Sequence, residues 1–270
     1  MFRNKKIILI ALCLPMMFSC GKHAKLLKST DNELKYQAAM SYYEKKDYNR
    51  ALELFDMLQS AYRGKPQGEE IAFLTAECYF QLEDYSIASH YYKRYASTYP
   101  FGKRTEDALY KSAYCYYLES PNISLDQTDT HNAIREFQQF IDAYPSSDYV
   151  DDANARIDTL RLKLEEKDFN KAMLYYKMDE YQAAITTFEA FLADYPATLH
   201  REEILVYMVM TYYHYAEKSV ADKQRERYEL ALEKYNTLSY IFPDSEKLKE
   251  LAPVVEKMRA RLARMENNNK

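Results

Sequence analysis

The sequence predicts an all-α chain, about five consecutive helical hairpins closed by a C-terminal helix. Three observations carry this. Alanines and aromatics recur in one fixed frame, and a proline follows that frame at a constant distance in four of its five copies. Glycine is scarce, 4 residues in 270, while tyrosine reaches 28. A chain poor in glycine and rich in Ala, Leu, Glu and Lys suits helices throughout.

The frame is clearest over residues 172–196. Ala172, Tyr175 and Tyr176 lie at i, i+3 and i+4 of a first helix, and Asp179-Glu180 mark a polar turn. Ala184, Phe188, Phe191 and Tyr195 form the apolar face of a second helix that Pro196 ends. The second-helix alanine recurs as Ala51, Ala88, Ala133, Ala184 and Ala231, followed four residues later by Phe55, Tyr92, Phe137, Phe188 and Tyr235. Pro100, Pro145, Pro196 and Pro243 come twelve residues after the last four alanines. First helices repeat as Ala39, Ala76, Ala113, Ala172 and Thr211, each followed at +4 by Tyr43, Phe80, Tyr117, Tyr176 or Tyr215. Small residues stand where two helices approach closely, and rings stand where the next hairpin is met. One hairpin cannot bury its own apolar face, so the hairpins must stack.

This pattern resembles the tetratricopeptide repeat. The resemblance implies a right-handed α-solenoid of about five tetratricopeptide-like hairpins with a C-terminal capping helix. Two departures stand out. Lys46, Glu83 and Asp179 occupy the mid-turn position where that repeat has glycine, and Tyr95, Phe140 and Phe191 its last small position.

In chain order, residues 1–19 read as a lipoprotein signal peptide. Arg3, Lys5 and Lys6 precede an apolar centre, Ile7 to Phe18, whose helix of about 18 Å is too short to span a bilayer. Met17-Phe18-Ser19-Cys20 is similar to a bacterial lipobox, which makes Cys20 the lipidation site. By the same resemblance, Gly21 in place of Asp implies the periplasmic face of the outer membrane. Residues 20–32 are expected to be a lipid-anchored tether, with Thr30 and Glu33 as a capping box for the first repeat helix. Residues 33–147 form a front half of three repeats, the third interrupted by a polar excursion from Glu119 to Thr130. Residues 148–266 form a back half of two repeats and the capping helix. It opens on one long helix over Asp148 to Lys177. Lys218 to Arg227 reads as a second polar insertion, and 267–270 as a disordered tail.

The composition narrows the function. A formal charge of −4 argues against nucleic acid, which needs a basic stripe. No catalytic constellation or small-molecule site is legible, the five histidines have no ligand spacing, and no cofactor or metal is expected. Asp151-Asp152 and Glu165-Glu166 read as solvated surface. Cys78 and Cys115 occupy small-residue positions and are expected as buried free thiols.

The positions that suggest a binding face are aromatics seven apart on the first helices: Tyr36/Tyr43, Phe73/Phe80 and Tyr110/Tyr117. That separation returns to one helix face. In the tetratricopeptide fold these positions face the concave groove, where they would suit an extended peptide. Rings at this spacing equally fit a core, and both readings stand.

Lipobox, five repeats, the long helix and the hairpin ends Tyr99-Pro100, Tyr144-Pro145, Tyr195-Pro196 and Phe242-Pro243 together resemble the BamD family of outer-membrane lipoproteins. The segment 120–134, SPNISLDQTDTHNAI, is similar to the insertion of bacteroidete-type members. The resemblance implies a non-enzymatic scaffold of the β-barrel assembly complex. Its back half would bind a BamA-like barrel insertase and its front half unfolded outer-membrane proteins. The alternative is a periplasmic repeat lipoprotein of the CpoB type that coordinates division complexes.

Overall fold

The structure is a computed structural model, and it describes residues 22–268. The leader, the lipobox and Cys20 lie outside the described residues. Everything described is helix, turn or loop. The helices are α1 (22–28), α2 (Asn32–Glu44), α3 (Tyr48–Leu58), α4 (Pro66–Gln81), α5 (Tyr85–Thr98) and α6 (Thr105–Glu119). They continue as α7 (Thr128–Ala143), α8 (Val150–Lys177), α9 (Tyr181–Asp194), α10 (Arg201–Glu217), α11 (Ala221–Ile241) and α12 (Glu246–Asn268).

The chain divides into two compact units, one ending at Arg161 and one beginning at Leu162. The division falls inside α8, not at the 147/148 boundary expected from sequence. Its first turns bury Ala153 and Ile157 in the first unit's core, and its last turns bury Phe169 and Ala172 in the second's.

In the first unit α2 packs on α3, α3 on α4, α4 on α5, α5 on α6 and α6 on α7. In the second, α9 packs on α10, α10 on α11, and α12 covers α10 and α11. All ten small positions of the frame, Ala39, Ala51, Ala76, Ala88, Ala113, Ala133, Ala172, Ala184, Thr211 and Ala231, have no exposed surface. Four of the five second-helix rings, Phe55, Tyr92, Phe137 and Phe188, are equally buried, each contributing about 1.5–3 kcal/mol of apolar burial, while the fifth, Tyr235, is half-buried. This is a tetratricopeptide-like helical repeat, and α12 closes it with Leu251, Val255 and Met258.

The turns explain the missing glycines. Lys46, Glu83 and Asp179 adopt φ of 61°, 64° and 60°, the left-handed region that glycine normally fills. Each sits in the same double closure. Glu83 N–H donates to Phe80 O at 3.1 Å and Asp84 N–H to Tyr79 O at 3.0 Å. Lys46/Asp47 and Asp179/Glu180 repeat both bonds. These close the carbonyls a helix end leaves open. The second helices also end alike. Tyr99, Tyr144, Tyr195 and Phe242 leave helical geometry with ψ of 63–70°, because the following proline disfavours the helical region for its predecessor.

Four sequence expectations are corrected. The tether is not wholly free, since 22–28 is helical and Leu26 and Leu27 pack on the first core. Asp31, not Thr30, caps α2, accepting from Leu34 N–H at 3.0 Å; its carboxylate is the stronger partner for the helix's open N–H groups. Residues 221–227 are not an insertion but the opening of α11, carried by good helix formers and the Arg225–Glu229 pair at 2.9 Å. Asn267 and Asn268 continue α12 instead of belonging to a disordered tail.

Candidate functional site

The front aromatic positions take their surroundings partly from their own hairpin and partly from the one that follows. Tyr36 on α2 is partly buried, its hydroxyl donating to Glu70 of α4 at 2.5 Å. Phe73 on α4 is 5 % exposed, with Tyr92 and Tyr95 of α5 at 5.9 and 5.4 Å. Tyr110 on α6 is 9 % exposed, stacked on Tyr149 at 4.3 Å with its hydroxyl on Asp152. This row therefore lies largely within and between hairpins.

The second row stays closer to solvent. Tyr43, Phe80 and Tyr117 are each half-buried. Tyr43 meets Tyr48 edge-on at 5.7 Å, and burial, aided by Glu77, pushes its phenol up to about 12. Phe80 meets Tyr85 at 5.5 Å and Tyr114 at 6.1 Å. Tyr114 joins the rows, stacking at 6.3 Å on Tyr110 and 5.9 Å on Tyr117. In the second unit, Phe169 stacks on His200 at 4.1 Å, Tyr176 meets Tyr207 at 4.9 Å and Met208 is buried.

Charges stitch the first-unit rings together. Glu77 is buried, accepting from the Tyr92 hydroxyl and, at 2.6 Å, from Lys111 Nζ. Lys111 also reaches Asp107 at 3.5 Å, which accepts from Tyr149 at 3.3 Å. The Arg104 and Lys111 cations lie 4.7 and 5.3 Å from the Phe73 ring. Arg156 lies over Tyr114 at 4.3 Å and Tyr117 at 4.9 Å while its Nε donates to Asp152 at 2.5 Å. Asp152 is therefore not simple solvated surface. Burial works to raise its pKa, but donors from Arg156 and Tyr110 outweigh that and hold it below the usual carboxylate range. Sequence reasoning missed Lys111, Arg104 and Arg156. The Asp152–Arg156 spacing of four was the legible signal, and it points to a helix-surface pair without revealing the rings above it.

The arrangement holds neutral phenols, not reactive groups. Cys78 and Cys115 are free and buried, and burial, with Glu77, pushes both thiols up to about 12. They are inert at neutral pH. Among the described residues no group of His, Cys, Asp and Glu side chains is placed to hold a metal ion. No described helix is long and apolar enough to cross a membrane.

Fold and site together define a helical-repeat scaffold that presents a half-buried aromatic face. A family profile described as outer membrane lipoprotein, YfiO, matches residues 28–227. That is well over half of the chain, and the chain belongs to this family. Curated relatives agree. Over 91 residues the chain is 29 % identical to the outer membrane protein assembly factor BamD of Caulobacter vibrioides, covering 34 % of this chain and 30 % of that protein. Over 96 residues it is 28 % identical to BamD of Rickettsia prowazekii, covering 36 % and 38 %. The match thus spans about a third of each relative's length. Among solved structures, the TPR domain of P58(IPK) overlaps 90 % of this chain and 68 % of its own at 15 % identity and a TM-score of 0.41. That overlap is loose, and the fold rests on the buried hairpin frame itself.

Proposed function

We propose that this chain is a non-enzymatic scaffold for outer-membrane protein assembly, anchored by acyl chains on Cys20 at the periplasmic face of the outer membrane. The observation that carries the reading is the family match over 28–227, supported by the assembly role that the two BamD relatives are named for. In this reading the second unit docks a BamA-like barrel insertase. Leu174 and Met178, one turn apart and 55 % and 59 % exposed, are apolar surface suited to such a contact. The half-buried row Tyr43, Phe80 and Tyr117, with Tyr36, Phe73 and Tyr110 behind it, receives the aromatic-rich terminal strand of an unfolded barrel protein. Ring-on-ring contacts of about 0.5–1.5 kcal/mol each would make that grip releasable.

Co-purification from detergent-solubilised outer membrane tests the scaffold role. The chain should retain a barrel insertase, and Leu174→Glu with Met178→Glu should lose it while the protein stays folded. Recovery of a division complex instead selects the alternative reading. Cys20→Ala should abolish acyl labelling and release the protein from the membrane fraction. A variant that still labels with palmitate removes the anchor from this account.

A further inference from the structure

The short helix that follows the anchor position is docked, and its outer face is basic. On α1, His23 is buried, with Nε2 2.7 Å from a Glu53 carboxylate oxygen and its ring edge-on to Tyr42 at 5.3 Å. Leu26 and Leu27 pack with it on the first core. At 3.6 residues per turn, His23, Leu26 and Leu27 share one side of the helix and Lys22, Lys25 and Lys28 the opposite side. All three lysines are exposed. Among the described residues none of their side chains makes a hydrogen bond or ion pair. The rest of the chain is mildly acidic, since the formal charge is −4 overall, so three unpaired cations on one short face are a local exception.

We infer that the Lys22, Lys25 and Lys28 face of α1 is a binding surface for anionic phospholipid headgroups. The inference rests on the proposed acylation of Cys20. Three Cα-to-Cα steps lead from Cys20 to docked His23, a reach of at most about 11 Å. An acyl chain on Cys20 therefore holds α1 within a headgroup layer's depth of the bilayer, where phosphates and lysines meet directly. Because His23, Leu26 and Leu27 lock α1 onto the first hairpin, the lipid contact also fixes which side of that hairpin turns toward the membrane. The acyl chains on Cys20 supply the anchoring itself, and a basic patch beside them adds headgroup contacts whose share is measurable when only a single chain, which binds reversibly, is present. Each lysine at an anionic surface strengthens binding about fivefold, so the three together strengthen it on the order of a hundredfold.

The test uses the leader-free chain beginning at Cys20, alkylated on that thiol with a single tetradecyl chain; Cys78 and Cys115 are buried and spared. Partitioning is measured onto vesicles of phosphatidylethanolamine with one quarter phosphatidylglycerol, and onto neutral phosphatidylcholine vesicles. Lys22→Gln, Lys25→Gln and Lys28→Gln combined should weaken partitioning on the order of a hundredfold on anionic vesicles and leave it unchanged on neutral ones. The corresponding triple Arg variant should bind as the parent does, and circular dichroism should match among all three. Equal partitioning of the parent and the Gln variant on anionic vesicles overturns the inference, as does equal loss on both lipids. Mass spectrometry of Cys20 in the full chain from cells reads the acylation separately. An unmodified Cys20 removes the lipoprotein reading while leaving the vesicle result to stand on its own.

Discussion

At the residue scale, two kinds of position hold free energy in unusual form. Lys46, Glu83 and Asp179 keep side chains on left-handed backbone, which costs about 1–2 kcal/mol for a residue with a Cβ. Glycine avoids that penalty but loses more chain freedom on folding. Glu83→Gly should therefore stabilise the protein by about 0.5–1 kcal/mol, read as a higher denaturant midpoint at unchanged slope; a lower midpoint would mean that the Glu83 side chain does unseen work. The second kind is the buried Glu77–Lys111 pair, whose side chains are 11 % and 26 % exposed. Lys111→Met should cost about 2–4 kcal/mol, because it strands a carboxylate that retains only the Tyr92 hydroxyl. Adding Glu77→Gln should restore most of the loss. Additive destabilisation in that double-mutant cycle would show that the two groups do not act as a pair.

At the scale of the element, the hairpin is the unit on which substitutions act. Ala184 is fully buried where α9 packs within its hairpin, while Gln182, two residues earlier, is exposed. Ala184→Leu should overpack the contact and cost about 1–3 kcal/mol, and Gln182→Leu should change the melting temperature little. The same scale separates the two aromatic rows. Phe73→Ala should cost about 3–5 kcal/mol as a core ring, whereas Tyr43→Ala with Phe80→Ala should lose binding of a barrel-terminal peptide more than it loses stability. Equal destabilisation by the two would make the outer row core as well. The hairpins were legible because small residues and the aromatic-proline ends act locally. A helix pair cannot close over a large side chain, and at those four ends the proline turns the residue before it out of helical geometry, whereas Pro66 opens α4 and Pro253 lies within α12. The tyrosine–carboxylate ties were not. Tyr195 reaches Asp168 across 27 residues, Tyr36 reaches Glu70 across 34 and Tyr110 reaches Asp152 across 42, so no single period exposes them. The charged start of α11 was misread for the opposite reason, since polarity alone does not distinguish a loop from a solvated helix. The headgroup face of α1 was hidden inside a stretch that composition alone describes as tether.

At the scale of the whole molecule, tyrosine chemistry sets the pH range over which the fold persists. Burial pushes the phenols of Tyr36, Tyr110 and Tyr212 up to about 12, helped by Glu70, Asp152 and Glu189 respectively. Burial and neighbouring carboxylates drive Tyr92, Tyr95, Tyr195 and Tyr228 higher still. An unfolded tyrosine ionises near about 10. Each of these groups has a folded pKa above its unfolded one, so its stabilisation is complete below that value and is lost as pH rises through it. The share of tyrosinate absorbance that these buried phenols contribute should therefore appear only well above pH ~10 and rise together with loss of helical dichroism. Complete tyrosinate absorbance, all tyrosines included, reached near pH ~10 with the helix retained would show that these phenols are not held neutral.

The division of α8 between two cores carries a consequence for how the chain is made. The front clusters draw on no residue beyond Ile157, and the rear cluster on none before Phe169. A polypeptide delivered N-terminus first can therefore complete its early hairpins before its last hundred or so residues have emerged. Nothing in the early core waits for a distant partner, and contacts between near neighbours in the chain form quickly. A protein proposed to receive unfolded clients would thus spend little time as one itself.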